Sequence, residues 1–126
     1  MTTATRIFVN VLADDLATSR DFYLELLGFE VLFEADWYVQ VSPGGDPERI
    51  VGLWRRDHDL VPVEYRKAPQ GVILTIVVDN VDEVHLEAVR RGIHIVRAPE
   101  NQIYGQRSML VLDPSGLLVD ISTPVR

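Results

Sequence analysis

Ile7-Phe-Val-Asn-Val-Leu-Ala-Asp-Asp-Leu16 is a β-rich apolar run that is broken by two acidic residues. The same pattern returns in Val72-Ile-Leu-Thr-Ile-Val-Val-Asp-Asn-Val81, at a constant offset of 65 residues (81 − 16). Runs of this kind predict β-strands, and similarity at a fixed spacing predicts repeated structural units. The chain is therefore expected to contain one module twice.

A helix is predicted after each of these two strands. The first helix opens at Asp14 or Asp15, because either carboxylate can accept hydrogen bonds from the free N–H groups of a first turn. A glycine ends each helix, as is typical of a C-cap. The apolar stripe of the first helix is Leu16, Tyr23 and Leu27, and this helix ends at Gly28. The apolar stripe of the second helix is Val81, Val84 and Ala88, and this helix ends at Gly92.

Three further strands are predicted in each half, which gives the order βαβββ twice. The last two strands of each half are joined by turn-forming segments, Pro43–Pro47 and Asp113–Gly116. We therefore expect a single domain, 1–126, with module 1 at about 5–56, a proline-containing linker at 57–70 and module 2 at about 71–124. The predicted strands are Phe29–Ala35, Trp37–Ser42, Arg49–Arg56, Ile93–Arg97, Arg107–Leu112 and Leu117–Thr123.

Composition excludes several classes of protein. The chain has 126 residues, of which 47% are hydrophobic and 25% charged, as expected for one globular domain. It has no cysteine, so disulfides and thiolate metal sites are excluded. A net charge of −7 argues against a nucleic-acid partner. The longest uncharged apolar run, Gly71–Val78, is too short for a membrane helix. The sequence shows no signal-peptide pattern, which predicts a cytoplasmic location.

The order of several short motifs resembles the vicinal oxygen chelate superfamily, the group of glyoxalase I, extradiol dioxygenases, fosfomycin-resistance enzymes and bleomycin-resistance proteins. The resemblance covers about Ile7 to Pro124. It implies an α+β fold in which the sheets of two tandem βαβββ modules curve into a cup, usually within a homodimer. The motifs are Val11-Leu-Ala-Asp-Asp-Leu16, Asp21-Phe-Tyr23, Leu27-Gly28, Val78-Asp-Asn-Val81 and Asp113-Pro-Ser-Gly116.

The resemblance also implies where a metal ion would be held in metal-dependent members: by one residue on the first strand and one on the last strand of each module. Only one of those positions carries a metal-binding side chain here, whereas zinc needs three or four protein donors and hard cations need several oxygens. The three histidines lie elsewhere, in the linker, the second helix and an outer strand. The sequence therefore predicts no metal and no cofactor. The four positions are Phe8, Gly52, Ile73 and Asp120.

Strand alternation assigns the two faces of each sheet, because side chains at i and i+2 point the same way. With Phe8, Ile73 and Asp120 facing the cup, the helix-facing positions are wholly apolar and the polar residues of these strands face the cup. This distribution is typical of a small-molecule pocket, although the same side chains could instead fill the cup or a dimer interface. Candidate ligand-binding residues are Phe8, Asn10, Leu12, Trp37, Trp54, Thr75, Tyr104, Arg107, Asp120 and Ser122; Trp37, Trp54 and Tyr104, with Tyr38, are candidate stacking surfaces.

Asp120 is the most specific candidate for a ligand-binding residue. A carboxylate on a partly apolar face needs either an internal cation or a ligand. Arg107 is a plausible internal partner, which would make the pair structural; otherwise Asp120 would orient a cationic or hydrogen-bond-donating group of a ligand. Both interpretations remain open at this stage.

These observations favour a metal-independent small-molecule-binding protein that holds an aromatic or cationic ligand in the cup or in the groove of a homodimer. The acidic balance favours cationic compounds. The alternative is a glyoxalase- or dioxygenase-like enzyme of divergent site, with Asp120 as general base; a purely structural or interaction module is a third interpretation. The sequence leaves open whether any reaction is catalysed.

Overall fold

A computed structural model describes residues 1–125, which divide into two compact units, one from Met1 to Lys67 and one beginning at Ala68. Each unit holds one helical segment and one mixed four-stranded sheet. The predicted α+β fold of two tandem βαβββ modules is confirmed. The two units are described in turn.

In the first unit the sheet has the strand order β1-β4-β3-β2. Strand β1 runs parallel to β4, and the other neighbouring strands are antiparallel. A short 3₁₀ turn, Val63–Tyr65, follows the sheet. The elements are β1 (Val9–Ala13), α1 (Leu16–Asp21), a π-helical turn (Phe22–Leu26), β2 (Phe29–Glu34), β3 (Tyr38–Pro43) and β4 (Val51–Arg55).

The helical segment of this unit begins and ends as its sequence predicts. Asp15 is the N-cap, and its carboxylate accepts a hydrogen bond from the backbone N–H of Thr18 at 3.0 Å. Gly28 ends the segment at φ +68°, a left-handed conformation that glycine adopts without strain. The apolar side of the segment packs on β3 and β4, where Tyr23 is fully buried and meets Phe22 edge to face at 4.9 Å.

In the second unit the order is β5-β8-β7-β6, with β5 parallel to β8. Asn80 caps the helix, as its Oδ1 accepts hydrogen bonds from the backbone N–H groups of Asp82 and Glu83. The turn before the last strand is held by Asp113, whose Oδ1 accepts from the backbone of Ser115 and Leu117. The elements are β5 (Ile73–Val77), α2 (Val81–Arg90), β6 (Ile95–Asn101), β7 (Gln106–Leu112) and β8 (Leu118–Pro124).

Three predicted strands, β1, β4 and β6, begin two residues later than expected; β4 starts at Val51 rather than Arg49. Strand β1 starts at Val9, opposite Val51, the first residue of its neighbour β4, so Ile7 lies outside the sheet and is 88% exposed. Strand β6 starts at Ile95 because the backbone N–H of Ile93 is still bonded to the carbonyl of Ala88 at the end of the helix. In residues 1–125, none of the helices combines the length and the apolar character that crossing a bilayer requires.

Candidate functional site

The helix of each unit covers one face of its sheet. We call the opposite face of the first sheet, which carries Asn10, Leu12, Phe33, Tyr38, Gln40, Gly52 and Trp54, the first helix-free face. Cross-strand pairing places these residues together, because Leu12, Trp54 and Tyr38 lie side by side, as do Asn10, Gly52 and Gln40. The side chains at the alternate strand positions point the other way and are buried beneath the helix; they include Val11, Val39 and Leu53.

A chain of polar side chains crosses the first helix-free face above Gly52. The Tyr38 hydroxyl donates to Asn10 Oδ1 at 2.7 Å and accepts from Gln40 Nε2 at 3.2 Å. A Cβ atom at position 52 would lie 2.0 Å from Asn10 Oδ1 and 2.5 Å from the Tyr38 hydroxyl. Glycine therefore leaves the space that this hydrogen-bonded chain occupies.

Aromatic rings gather at one end of the same face. The ring of Trp37 lies 5.5 Å from those of both Tyr38 and Trp54, and it stacks on His58 at 4.6 Å. Phe33 extends the group from β2, with its ring 6.3 Å from Tyr38 and its side chain 51% exposed. We call these five residues the aromatic cluster. The Trp54 Nε1–H is buried and has no acceptor among the described residues.

The second helix-free face carries a different polar chain, centred on Asp120. Thr75 donates to Asp120 Oδ2 at 3.0 Å, and Ser108 donates to Asp120 Oδ1 at 2.6 Å. The Ser108 hydroxyl in turn accepts from Arg97 Nη2 at 2.9 Å. Asp120 is thus connected to a guanidinium through one serine hydroxyl. The face is defined by Ile73, Thr75, Val77, Leu118, Asp120, Ser122, Ser108, Leu110, Leu112 and Arg97.

The pairing of Asp120 with Arg107, one of the two sequence interpretations, is wrong. Arg107 shares the parity of the buried Met109, so its side chain lies on the helix side of the sheet. There it donates from Nε and Nη2 to the carboxylate of Asp82 in the first turn of α2, at 3.0 to 3.3 Å. The Arg107 guanidinium holds the pKa of Asp82 below its usual value. Arg107 therefore does not belong with the candidate ligand-binding residues of the helix-free face.

The two polar chains occupy matching positions of the repeat. Asn10 lies opposite Gly52, just as Thr75 lies opposite Asp120. Tyr38 pairs with Trp54, two residues after Gly52, and Ser108 pairs with Ser122, two residues after Asp120. This register supports the assignment of Gly52 as the counterpart of Asp120. In the first unit the Tyr38 phenol occupies the space that a carboxylate at position 52 would need.

The residues at the four implied metal positions do not fit a cation. Phe8 and Ile73 have no donor atoms, and the space above Gly52 is taken by Asn10 and Tyr38. Both oxygens of Asp120 accept hydrogen bonds from hydroxyl groups. In residues 1–125 no group of three or more His, Asp or Glu side chains is arranged to hold a metal ion.

The other predicted site residues are more scattered. Phe8 precedes β1, and the Arg6 guanidinium lies 4.9 Å above its ring. Tyr104 lies in the turn between β6 and β7 and is 65% exposed, apart from the Asp120 chain. Ser122 is on the second helix-free face but is buried. Residues that the sequence did not single out, Gln40, Arg97 and Ser108, complete the polar chains instead.

Comparison with known proteins gives the class of this chain. The Glyoxalase/Bleomycin resistance protein/Dioxygenase superfamily matches residues 7–121, and the chain belongs to that superfamily. No curated protein matches it significantly. The fold expectation drawn from the resemblance is thereby confirmed.

Three solved structures illustrate the shared fold. A family enzyme from Burkholderia phytofirmans PsJN is similar with a TM-score of 0.79 and 18% identity, over 92% of this chain and 95% of that one. TnmS3, an antibiotic binding protein from Streptomyces sp. CB03234, gives a TM-score of 0.74 and 23% identity over 98% and 99%. The virulence protein STM3117 from Salmonella typhimurium gives 0.71 and 26% identity over 98% and 100%. At these identities the likeness concerns the fold.

Proposed function

We propose that this protein binds a small aromatic or cationic molecule without a metal ion. The observation that carries the proposal is the aromatic cluster on the first helix-free face, where several rings stand together beside amide and hydroxyl groups. Small-molecule sites are mostly apolar and contain a few orienting polar groups, and this face has that character. The description of TnmS3 as an antibiotic binding protein shows that the fold is used for binding in a related structure.

The polar chain above Gly52 would orient such a ligand. Because the Tyr38 hydroxyl donates to Asn10 Oδ1, the Asn10 amide nitrogen keeps its two N–H donors for other partners. Gln40 uses its Nε2 on Tyr38, which leaves its carbonyl oxygen as an acceptor. A planar ligand that stacks on Phe33 or Trp54 would meet the amide N–H donors of Asn10 and the carbonyl acceptor of Gln40 at its edge.

Two further features support the proposal. The net charge of −7 attracts cationic compounds, and aromatic faces bind cations through their quadrupoles. The positions at which metal-dependent relatives are expected to hold their ion carry side chains unsuited to it, so binding has to rest on stacking, burial and hydrogen bonds. The enzyme alternative would need a second positioned acid or base beside Asp120, whose bonded neighbours are the hydroxyl groups of Thr75 and Ser108.

We also propose that the protein is a homodimer. Apolar side chains outside the aromatic cluster are left exposed: Val77 is 62% and Phe8 39% exposed. A second copy would remove such surface from water, and two-fold dimers are the commonest oligomers.

A fluorescence titration tests the binding proposal. Trp37 and Trp54 are the two tryptophans of the chain and both belong to the aromatic cluster, so a planar cation such as proflavine should quench their emission saturably. Phe33→Ala should weaken binding about tenfold, since an aromatic contact contributes about 0.5–1.5 kcal/mol beyond the area it buries. Tyr65→Ala, which removes an exposed aromatic ring outside the cluster, is the matched control.

Saturable quenching that Phe33→Ala weakens and Tyr65→Ala leaves unchanged is the expected result. Quenching that rises linearly with dye concentration, or that both variants change equally, would contradict the proposed location.

A further inference from the structure

Arg97 stands out among the cations of the second unit. Its Nη2 donates to the Ser108 hydroxyl and to the Ser108 carbonyl, and no described carboxylate lies within ion-pair distance of it. Arg107, by contrast, is held bidentately by Asp82 on the helix side of the same sheet. A guanidinium carries five N–H donors, and nothing in the described part of the chain accepts from the Nη1 donors of Arg97 or from its buried Nε–H.

Asp120 offers the opposite charge close by. Arg97 Nη2 and Asp120 Oδ1 both contact the Ser108 hydroxyl, at 2.9 and 2.6 Å, so they are at most about 5.5 Å apart (2.9 + 2.6). A carboxylate has about four lone-pair sites, and the bonds from Thr75 and Ser108 occupy two of them. The face thus presents a positive and a negative group with free hydrogen-bonding capacity, no more than about 5.5 Å apart.

An apolar cavity lies next to this pair of charges. Its volume is about 710 Å³, and its walls include Ile73, Val96, Leu112 and Leu118. Ile73 and Leu118 are paired across β5 and β8, two residues before the paired Thr75 and Asp120. Two residues along a strand span about 7 Å, so the backbone positions of Leu118 and Asp120 are about that far apart.

We infer that the second helix-free face binds a zwitterionic head group of the α-amino-acid type, with the ligand's apolar side chain in the adjacent cavity. The ligand carboxylate pairs with Arg97 and its ammonium pairs with Asp120. In an α-amino acid the nitrogen and the carboxylate carbon are about 2.5 Å apart, and hydrogen bonds of about 2.9 Å, inclined outward from the two ends, reach two groups that lie no more than about 5.5 Å apart. This inference rests on the proposed small-molecule-binding function and adds a ligand class and a second surface to it.

Three probes that share one side chain and differ in the charges of the head group test the inference on the whole protein. L-phenylalanine carries both charges, L-phenylalaninamide lacks the carboxylate and N-acetyl-L-phenylalanine lacks the ammonium. Calorimetric titration should show that L-phenylalanine binds at least tenfold more tightly than either derivative, because each derivative loses one charge-assisted hydrogen bond. The Arg97 Nε–H signal in NMR spectra should shift on addition of L-phenylalanine.

Two variants assign each charge to its residue. In Arg97→Gln the preference for L-phenylalanine over the amide should disappear, whereas its preference over the N-acetyl derivative should remain. In Asp120→Asn the reverse should hold. Arg97→Lys, which keeps the charge, should restore part of the preference, and Arg107→Gln, on the other side of the sheet, should behave like the unaltered protein. Thermal melts identify any variant that fails to fold.

Equal binding of the three probes, or binding of none of them, by the folded protein would overturn the inference. Proflavine quenching in the same preparations separates this failure from a failure of the proposed function. If proflavine still binds while the phenylalanine probes do not discriminate, only the zwitterion site is refuted.

Discussion

Gly52→Ala tests how the first helix-free face is built. At ordinary van der Waals contact, 3.4 Å, the new methyl group would displace Asn10 Oδ1 by 1.4 Å (3.4 − 2.0) and the Tyr38 hydroxyl by 0.9 Å (3.4 − 2.5). Either movement breaks the 2.7 Å bond between them and disturbs the bond from Gln40. The backbone at Gly52 is not left-handed, so the cost comes from this collision alone.

The expected loss of stability follows from those two hydrogen bonds. Each contributes about 0.5–1.5 kcal/mol, and because Asn10 is exposed, water replaces part of what is lost. We expect Gly52→Ala to lower the free energy of unfolding by about 1–2 kcal/mol, measured by urea denaturation. Tryptophan emission should change as well, since the displaced phenol packs against Trp54.

A double-mutant cycle isolates the collision. Asn10→Ala removes the atom that the new methyl group approaches most closely, so the double variant Asn10→Ala/Gly52→Ala should be more stable than the sum of the single effects by about 1 kcal/mol. Single effects that add within about 0.3 kcal/mol would refute the account of position 52.

Three further predictions concern charge and assembly. Arg90 and Arg91 lower the pKa of Glu87 in the folded protein to about 2 from 4.5. Because the folded pKa is the lower one, the stability that Glu87→Gln removes should be fully present above pH 4.5 and be lost as the pH falls through about 2. A difference in the free energy of unfolding by urea between the two proteins that persists at pH 2 would count against this prediction. In Arg107→Gln the pKa of Asp82 should rise, which carbon NMR of the Asp82 carboxyl group can follow. An unchanged pKa of Asp82 would disprove its pairing with Arg107. Sedimentation at micromolar concentration should give about twice the 14.3 kDa mass of one chain, and a species of 14.3 kDa would exclude the dimer.

Much of the fold could be predicted from the sequence because its signals are local. The repeat, the capping residues and the glycine ends depend on neighbours a few positions apart, and the Asp113 turn is closed by its own side chain. The start of β1 could not be predicted this way, because it depends on where β4, more than forty residues later, provides a partner.

The site was harder to predict because it depends on pairing register. Shifts in register on either side of Arg97 bring it opposite Leu110, on the face of Asp120, and strict alternation gives no sign of such irregularities. Its place at the start of a neighbouring strand makes Arg107 a plausible partner for Asp120, yet its position in the strand alternation directs its side chain to Asp82. The contact of His58 with Trp37 joins a loop to the sheet, which no local pattern indicates.

Ligand binding by metal-free protein tests the central claim most directly. The protein is dialysed against a chelator, its metal content is determined by elemental analysis, and the same sample is titrated with proflavine while tryptophan emission is recorded. We predict saturable quenching in a sample that holds far less than one metal ion per chain, with an affinity that added nickel or zinc leaves unchanged. Quenching that appears only when about one equivalent of metal is bound, and that Asp120→Ala abolishes together with the metal, would contradict the account.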